Sequence, residues 1–404
     1  MAQTTQMDDP GHGRSVALLS VACRALAANV YLAQPLAGPI AATLGLSRQA
    51  AGTVVTMTQL GYGLGLLLIV LLADRVENRK LILWLVALAG AGLLVAGLPP
   101  AAGVFLAACL AIGLGSVCVQ VLVPYAAHLA PEVRRGRVVG LVTAGLMLGI
   151  MVARPVAGLI AEVLSWPDVF RLFAVMMVVL FVVLFWRLPP LQPTETENTA
   201  SVLRSMVRAP FRYPLLRQRI AYQSGLFGGF SLFWTAVPLW LMQPAWGWSE
   251  GDVGIFALTA ASGALAAPLA GALADKGLGK QVTAAALAMA SVGFVLTLLF
   301  PDGTLWAAAG IVVAASLINA AVTFSFVIGQ RAIFGIDPGA RARLNGIFMA
   351  SFTLAGAVGS ATGSWVLAHL GWVGVASCGL LVLVLVSIRF VRTEVCSRSR
   401  SLSR

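Results

Sequence analysis

Twelve apolar stretches, separated by short polar segments, follow one another along this 404-residue chain. A helix of about 20 residues crosses the roughly 30 Å hydrocarbon core of a bilayer, and each stretch is near that length. The stretches, numbered spans 1–12, are residues 15–38, 47–72, 80–99, 102–128, 137–163, 168–187, 217–242, 251–273, 281–300, 304–329, 343–369 and 372–391. The pattern predicts an all-α membrane protein with twelve transmembrane helices.

Short motifs of the first half return in the second half at a nearly constant distance. The pairs are Leu72-Ala73-Asp74-Arg75 with Leu273-Ala274-Asp275-Lys276, Gly45-Leu46-Ser47 with Gly247-Trp248-Ser249, and Arg135-Gly136-Arg137 with Arg341-Ala342-Arg343. A tandem duplication of a six-span unit explains all three pairs. We therefore divide the chain into an N-terminal tail (1–14), an N-terminal half (15–187), a central linker (188–216), a C-terminal half (217–391) and a C-terminal tail (392–404).

The charge pattern sets the expected orientation. The chain is 59% hydrophobic and only 10% charged, whereas soluble domains carry about 25% charged residues. Its net charge of +12 comes from basic residues in every second loop and in the C-terminal tail. Because cytoplasmic loops are rich in Lys and Arg, we place both termini in the cytoplasm, in a bacterial inner (plasma) membrane. The basic balance therefore reflects the topology of the chain in the lipid bilayer, and we expect no nucleic-acid partner.

The central linker contains the longest polar stretch. Val202, Leu203, Met206 and Val207 share one helical face, and Arg204 and Arg208 lie on another. This pattern is typical of a short helix on the anionic inner leaflet, and a flexible linker with scattered arginines is the alternative.

Small residues four positions apart mark spans 2, 5, 8 and 11, for example Gly145 and Gly149 in span 5. Such faces let two helix backbones approach closely in lipid. We expect these four helices to form the closest helix contacts.

Two similar six-span halves joined by a cytoplasmic linker resemble the major facilitator superfamily, whose halves are repeats around a midplane site. The signature loop of that family, G-x-x-x-D-R/K-x-G-R/K-R/K, is matched by Gly271–Lys280 apart from an extra residue before Gly279. The copy between spans 2 and 3 has Val70 where glycine is usual and Glu77-Asn78 before Arg79-Lys80.

The resemblance implies that these loops latch the cytoplasmic side in the outward-facing state. Asp74 and Asp275 supply the acids, with Arg135 and Arg341 as their expected partners. The other latch residues are Arg75, Arg79, Lys80, Arg137, Lys276, Lys280 and Arg343. A carboxylate at a helix end pairs with arginine or with a neighbouring helix N-terminus, and these contacts must break when the halves separate. Solvated basic loops with incidental acids are the alternative.

Two segments look like the drug-exporter-like branch of the family, which exchanges drugs for protons. They are residues 28–36 in span 1 and the run Gly145 to Gly158 in span 5. Span 5 has Ala153-Arg154-Pro155 where the exporter motif has Gly-Pro.

Charged residues inside the spans are costly, at about 2.5–3.5 kcal/mol each at a helix centre. Two lie deep, Arg24 in span 1 and Arg154 in span 5, and the nearest acid is Glu162 towards the end of span 5. Arginine keeps its proton, so neither residue can carry a coupling proton. Each is a candidate to bind an anionic or carbonyl-bearing substrate, and donation to backbone carbonyls is the alternative.

Further polar and aromatic residues lie on spans 1, 4, 7 and 10, which line the cavity in the resembled fold. They are Asn29, Tyr31, Gln34, Gln120, Gln223, Phe230, Trp234 and Asn319. Mostly apolar walls with a few polar groups are usual for a ligand site. With Arg24 and Arg154, these residues form the predicted substrate site.

The sequence shows no phosphate-binding loop, metal-ligand cluster or nucleophile–base arrangement, so we expect no enzyme, no metal and no cofactor. The expected function is secondary active transport of a small molecule by alternating access. The resemblance to the drug-exporter-like branch implies proton-coupled export of a small amphiphilic compound by a monomer, and the two deep arginines favour a neutral or anionic compound over a cationic one. Uptake or facilitated diffusion of a small organic anion is one alternative, and a non-transporting receptor with this fold is another.

Overall fold

A computed structural model describes residues 10–72, 75–98, 101–131, 134–192, 199–299, 304–337 and 340–402, and within these ranges it contains helices and no strand. The helices of the N-terminal half are Pro10–Asn29, Ala37–Thr43, Thr53–Leu72, Asn78–Gly97, Ala102–Ser116, Val119–Leu129, Arg135–Val163 and Trp166–Arg187. Those that follow are Thr199–Arg212, Pro214–Leu241, Glu250–Phe256, Ala261–Asp275, Gly279–Leu299, Leu305–Phe334 and Arg341–Leu402. The all-α fold is confirmed.

Ten of the described helices are long and apolar enough to cross a membrane, and Val16–Asn29 is a shorter apolar helix. One of the ten, Arg343–Thr393, has 51 residues. A straight helix of that length would measure roughly 77 Å, far more than the roughly 30 Å of a hydrocarbon core. The backbone instead turns at Gly371 (φ 64°, ψ −165°), which separates spans 11 and 12. The twelve predicted spans are therefore all present.

Span 1 is broken where a continuous helix to residue 38 is predicted. Its first helix ends at Asn29, turns follow, and a second helix begins at Ala37. Pro35 lacks an N–H group and disfavours helical backbone in the residue before it, which accounts for the break. Leu32, Ala33 and Gln34 are buried there. Irregular backbone within a bilayer is tolerated where protein surrounds it, and this segment meets that condition.

The internal repeat is visible in the backbone. Gly45 and Gly247, which occupy matching positions of the two halves, both have φ of 65°. Glycine adopts this left-handed conformation without the steric cost of a Cβ atom. The same turn therefore precedes span 2 and span 8.

Each half has its own apolar core. One buried cluster lies between Leu19 and Leu188, joined by Ala350, and a second lies between Leu226 and Leu383. In the linker, the helix Thr199–Arg212 buries Met206 and Ala209 in a third cluster with residues of spans 7, 10 and 11. The linker therefore contains a helix, as predicted, and its Met206 packs on protein. The contact of this helix with the inner leaflet stays a prediction.

The small-residue faces bring helices together mainly within each half. A Cβ atom on Gly149 of span 5 would lie 2.2 Å from the backbone oxygen of Arg24 in span 1. A Cβ atom on Gly359 of span 11 would lie 2.1 Å from the backbone oxygen of Gly228 in span 7. Spans 1 and 5 thus pair as spans 7 and 11 do.

Gly149→Ala is expected to destabilise the protein by about 1–3 kcal/mol, because the added methyl overpacks the contact with span 1. Gly140→Ala on the same helix is the control, since a Cβ atom there meets nothing within 4 Å. The control should be neutral or stabilising by up to about 1 kcal/mol. Thermal unfolding of the two variants in detergent measures the difference, and equal melting temperatures would contradict the close approach.

Candidate functional site

The two halves meet closely at the end of the bundle that carries Gly45, Leu164 and Gly247, called here the Gly45 end. In spans 5 and 8, a Cβ atom on Gly158 would lie 2.8 Å from the Cα atom of Gly254. Nearby, the Ser364 hydroxyl of span 11 donates to the backbone oxygen of Gln49, at 2.9 Å. These contacts close the Gly45 end.

Spans 5 and 8 separate towards the opposite end, called here the Arg135 end. A Cβ atom on Gly140 of span 5 or on Gly271 of span 8 would meet nothing within 4 Å. The packing of the two halves is therefore tighter at the Gly45 end along these helices.

Arg154 of span 5 lies where the halves meet and contacts both of them. Its guanidinium carbon is 4.6 Å from the ring centroid of Tyr31, 4.6 Å from that of Trp234 and 5.7 Å from that of Phe230. Its Nε donates to Oε1 of Gln34. Tyr31 and Gln34 belong to the break in span 1, and Phe230 and Trp234 belong to span 7. We call these five residues the Arg154 cluster.

The charge of Arg154 is buried without a carboxylate partner. Among the residues whose side chains the structure describes, Arg154 is the only buried charged one, at 1% exposure. The three aromatic faces attract the guanidinium, by up to about 2 kcal/mol for each desolvated contact. Removing an ion from water still costs several kcal/mol in proteins. The cluster therefore favours an additional group of negative charge.

Three nitrogen donors of the Arg154 cluster have no hydrogen-bond acceptor. They are Nη2 of Arg154, Nε2 of Gln34 and Nε1 of Trp234. Buried polar groups are nearly always hydrogen-bonded in folded proteins, so unpaired donors in one place call for an explanation.

A buried polar network that the sequence did not predict lies beside this cluster. Gln59 of span 2 donates from Nε2 to the Ser231 hydroxyl of span 7, at 3.3 Å. The Ser360 hydroxyl of span 11 donates to Oε1 of Gln59 at 3.5 Å and accepts from the Thr235 hydroxyl at 2.9 Å. The only sequence signal was a glutamine within an apolar span, which does not identify its partners. The network joins the two halves.

The other five predicted substrate residues lie outside the Arg154 cluster. Arg24 is exposed, and its backbone lies beside Gly149, nearer the Arg135 end. Asn29 donates to the Met177 sulfur at 3.5 Å, and Gln120 donates to the Tyr62 hydroxyl at 3.2 Å. Gln223 and Asn319 donate to the backbone oxygens of Val322 and Ala315, at 3.5 Å and 2.7 Å. These four polar side chains thus donate to partners within their own halves.

Six of the predicted latch residues make contacts within their own halves or with the linker. Asp275 pairs with Arg331, and its expected partner Arg341 donates to the backbone oxygen of Phe334 at 2.8 Å. The expected pair of Asp275 with Arg341 is replaced because Arg331, at the end of span 10, reaches the same carboxylate. Arg343 donates to the Ser205 hydroxyl of the linker helix at 3.0 Å.

In the N-terminal half, Asp74 lies outside the described residues. Arg135 donates to the backbone oxygen of Ala127 at 3.1 Å, and Arg79 donates to that of Phe185. Lys80 pairs with Glu77 at 3.3 Å. Arg75, Arg137, Lys276 and Lys280 are exposed at the Arg135 end.

At the Gly45 end, acidic residues of the two halves approach one another. The Ser249 hydroxyl of the C-terminal half lies 3.1 Å from Glu162 Oε2 of the N-terminal half. The same hydroxyl lies 3.0 Å from Asp252 Oδ2. A serine hydroxyl has one proton, so it can donate to only one of these carboxylates at a time.

Two repeated six-helix halves around a buried polar cluster are the arrangement found in membrane transporters built from parallel repeats. The sequence pattern of the Major Facilitator Superfamily matches residues 17–243 and 221–401. The chain belongs to this family, as the resemblance predicts.

Relatives of the chain are named as transporters. The chain is 35% identical to "Uncharacterized transporter YgaY" of Escherichia coli O157:H7, over 93% of this chain and 95% of that protein. It is 32% identical to "Probable transporter SCO4007" of Streptomyces coelicolor, over 91% of this chain and 85% of that protein. The crystal structure of the nucleoside transporter NupG superimposes with a TM-score of 0.76 at 15% identity, covering 93% and 99% of the two chains. That similarity shows the shared fold.

Proposed function

We propose that this chain exports a small neutral or anionic amphiphilic molecule in exchange for protons. It acts as a monomer whose two halves rock around the Arg154 cluster. The observation that carries the proposal is the position of this cluster, which takes side chains from both halves and contains an uncompensated buried charge. Rocking must separate Arg154 from Trp234 or Phe230, so a bound ligand there influences the movement of the halves.

The Gly45 end faces the outside of a bacterial inner membrane, and both termini lie in the cytoplasm. This orientation is supported by the excess of basic residues at the Arg135 end, because cytoplasmic loops are rich in Lys and Arg. In this orientation the described structure is closed towards the outside, with Gly158 of span 5 packed on Gly254 of span 8. The basic loops at the Arg135 end latch the bundle only when it opens to the outside. The Asp275–Arg331 pair, present in the described structure, holds one loop of the latch in place.

Export is supported by the likeness of spans 1 and 5 to the drug-exporter-like branch. "Probable sugar efflux transporter" of Helicobacter pylori is 23% identical to the chain over 48% of its length. Among the described residues no carboxylate is buried beside Arg154. Coupling therefore requires an acid elsewhere, and Glu162 is suited to it because it contacts the opposite half through Ser249.

Glu162→Gln is expected to retain downhill flux and to lose accumulation driven by a pH gradient, because glutamine cannot release a proton. Asp168→Asn is the matched control, since Asp168 lies at the same end of the bundle and pairs with Arg171 of its own half. Substrate accumulation in proteoliposomes with and without a pH gradient measures the effect. Gradient-driven accumulation that survives in Glu162→Gln would remove Glu162 from the coupling mechanism.

A second candidate function is uptake or facilitated diffusion of a small organic anion. The observation that favours it is again Arg154, because its fixed positive charge attracts anions and takes no part in proton transfer. The two candidates differ in whether a pH gradient drives the flux.

The proposed function is tested with the full chain in proteoliposomes and three matched compounds, with protein-free liposomes as the leak control. The compounds are N-benzoylglycine (anionic), N-benzoylglycinamide (neutral) and N-benzoylethylenediamine (cationic). We expect flux of the anionic or neutral compound, driven by a pH gradient. Flux independent of the gradient would favour facilitated diffusion, and the absence of any flux would favour a receptor.

A further inference from the structure

One of the three unpaired donors of the Arg154 cluster belongs to the Arg154 guanidinium, and the other two belong to side chains in contact with it. Gln34 accepts a hydrogen bond from Nε of Arg154, and the ring of Trp234 faces the Arg154 guanidinium. The Nη2 of Arg154, Nε2 of Gln34 and Nε1 of Trp234 are all buried without acceptors. Each of the three residues is 1% exposed. Two of these donors come from the N-terminal half and one from the C-terminal half.

The number and charge of the donors restrict the group that can satisfy them. A hydroxyl or carbonyl oxygen offers two lone pairs, whereas a carboxylate has two oxygens with about four acceptor sites. A carboxylate also carries one negative charge, which balances the one guanidinium. A doubly charged phosphate would leave surplus charge, since no other charged side chain is buried among those described. An ammonium group would bring a second positive charge and no acceptor.

We propose that the Arg154 cluster binds the carboxylate of a monoanionic organic substrate through Arg154, Gln34 and Trp234. This inference rests on the proposed transport function and names the substrate class of that site. The carboxylate bridges the two halves, because Trp234 belongs to span 7 of the C-terminal half. The other two donors, Gln34 and Arg154, belong to spans 1 and 5 of the N-terminal half. Charge-assisted hydrogen bonds to guanidinium are among the strongest in proteins, so the carboxylate is the main source of affinity.

Binding to the detergent-solubilised full chain tests this assignment, by equilibrium dialysis with radiolabelled N-benzoylglycine. The amide N-benzoylglycinamide and the amine N-benzoylethylenediamine serve as competitors. We expect saturable binding of the carboxylate, with weak competition by the amide and none by the amine. Absence of saturable binding, or equal competition by the amine, would overturn the assignment.

Gln34→Glu is the sharpest variant, because it places a carboxylate of the protein itself on Arg154. It is expected to leave the protein folded and to abolish N-benzoylglycine binding. Trp234→Phe keeps an aromatic ring and removes Nε1, so affinity should fall by about 10- to 100-fold, as for a hydrogen bond to a charged group. Trp372→Phe is its control, because Nε1 of Trp372 also lacks an acceptor but its ring stacks on Trp240, 4.0 Å away.

Unchanged affinity in Gln34→Glu, or equal effects of Trp234→Phe and Trp372→Phe, would contradict the assignment. A failure of the carboxylate assignment can be told apart from a failure of the proposed transport function. Flux of the neutral compound without binding of the carboxylate would contradict the carboxylate substrate and leave the transport function standing. Binding of the carboxylate without any flux would contradict the transport function and leave the binding site standing.

Discussion

Arg154→Met is expected to lower the flux of a small carboxylate by about 10- to 100-fold, because hydrogen bonds to a charged group contribute about 1.5–3 kcal/mol. Methionine retains much of the side-chain length and removes the charge. The variant should fold at least as stably, since replacing an uncompensated buried charge by an apolar group is often neutral or stabilising. Initial rates of N-benzoylglycine flux in proteoliposomes measure the change.

Arg24→Met is the matched control, because Arg24 is the other arginine predicted deep in a span and its side chain is exposed. Its flux should stay within about twofold of the unmodified protein, as for surface substitutions of up to about 0.5 kcal/mol. Equal losses in the two variants would indicate a general effect of positive charge and would contradict a specific role for Arg154.

Linking the halves at the Gly45 end is expected to stop downhill flux almost completely. The variant Glu162→Cys/Ser249→Cys places two thiols where the side-chain oxygens are 3.1 Å apart in different halves. A short bifunctional thiol reagent added from outside would join them, and alternating access requires these residues to separate. Flux is measured before and after the reagent.

Ser165→Cys/Asp168→Cys is the control pair, because both positions belong to the N-terminal half at the same end of the bundle. The reagent should leave its flux unchanged, and neither single variant at Glu162 or Ser249 should respond to it. Full flux through the linked Glu162/Ser249 pair would show that the halves transport without separating there.

The sequence was sufficient for the fold because its signals are local and repeated. Apolar length identified the spans, and motifs such as Gly45-Leu46-Ser47 located the second half. The break in span 1 was missed, although Pro35 marked it. An apolar run around one proline also fits a continuous helix, as in span 7, where Pro238 lies inside the helix Pro214–Leu241.

The candidate site was predictable in part. Arg154 could be identified because a buried charge is costly. Phe230 and Trp234 could be identified because span 7 lines the cavity in the family that the sequence resembles. Partner choice could not be predicted, because it depends on which side chains the packed helices bring within reach. Asn319 donates to an oxygen of its own helix, and Asp275 pairs with Arg331. The contacts of Gln59 with two spans of the other half depend on the tertiary fold in the same way.

The rocking of the two halves is tested most directly by distances between pairs of spin labels in lipid nanodiscs. One pair, on Gly103→Cys and Leu305→Cys, lies at the Gly45 end of opposite halves, where a Cβ on residue 103 meets nothing within 4 Å and Leu305 is 85% exposed. A second pair, on Gly136→Cys and Lys276→Cys, lies at the Arg135 end, where both positions are exposed. Across a series of pH values and N-benzoylglycine concentrations, we expect one distance to lengthen whenever the other shortens. Distances that stay fixed, or that lengthen together, would contradict it.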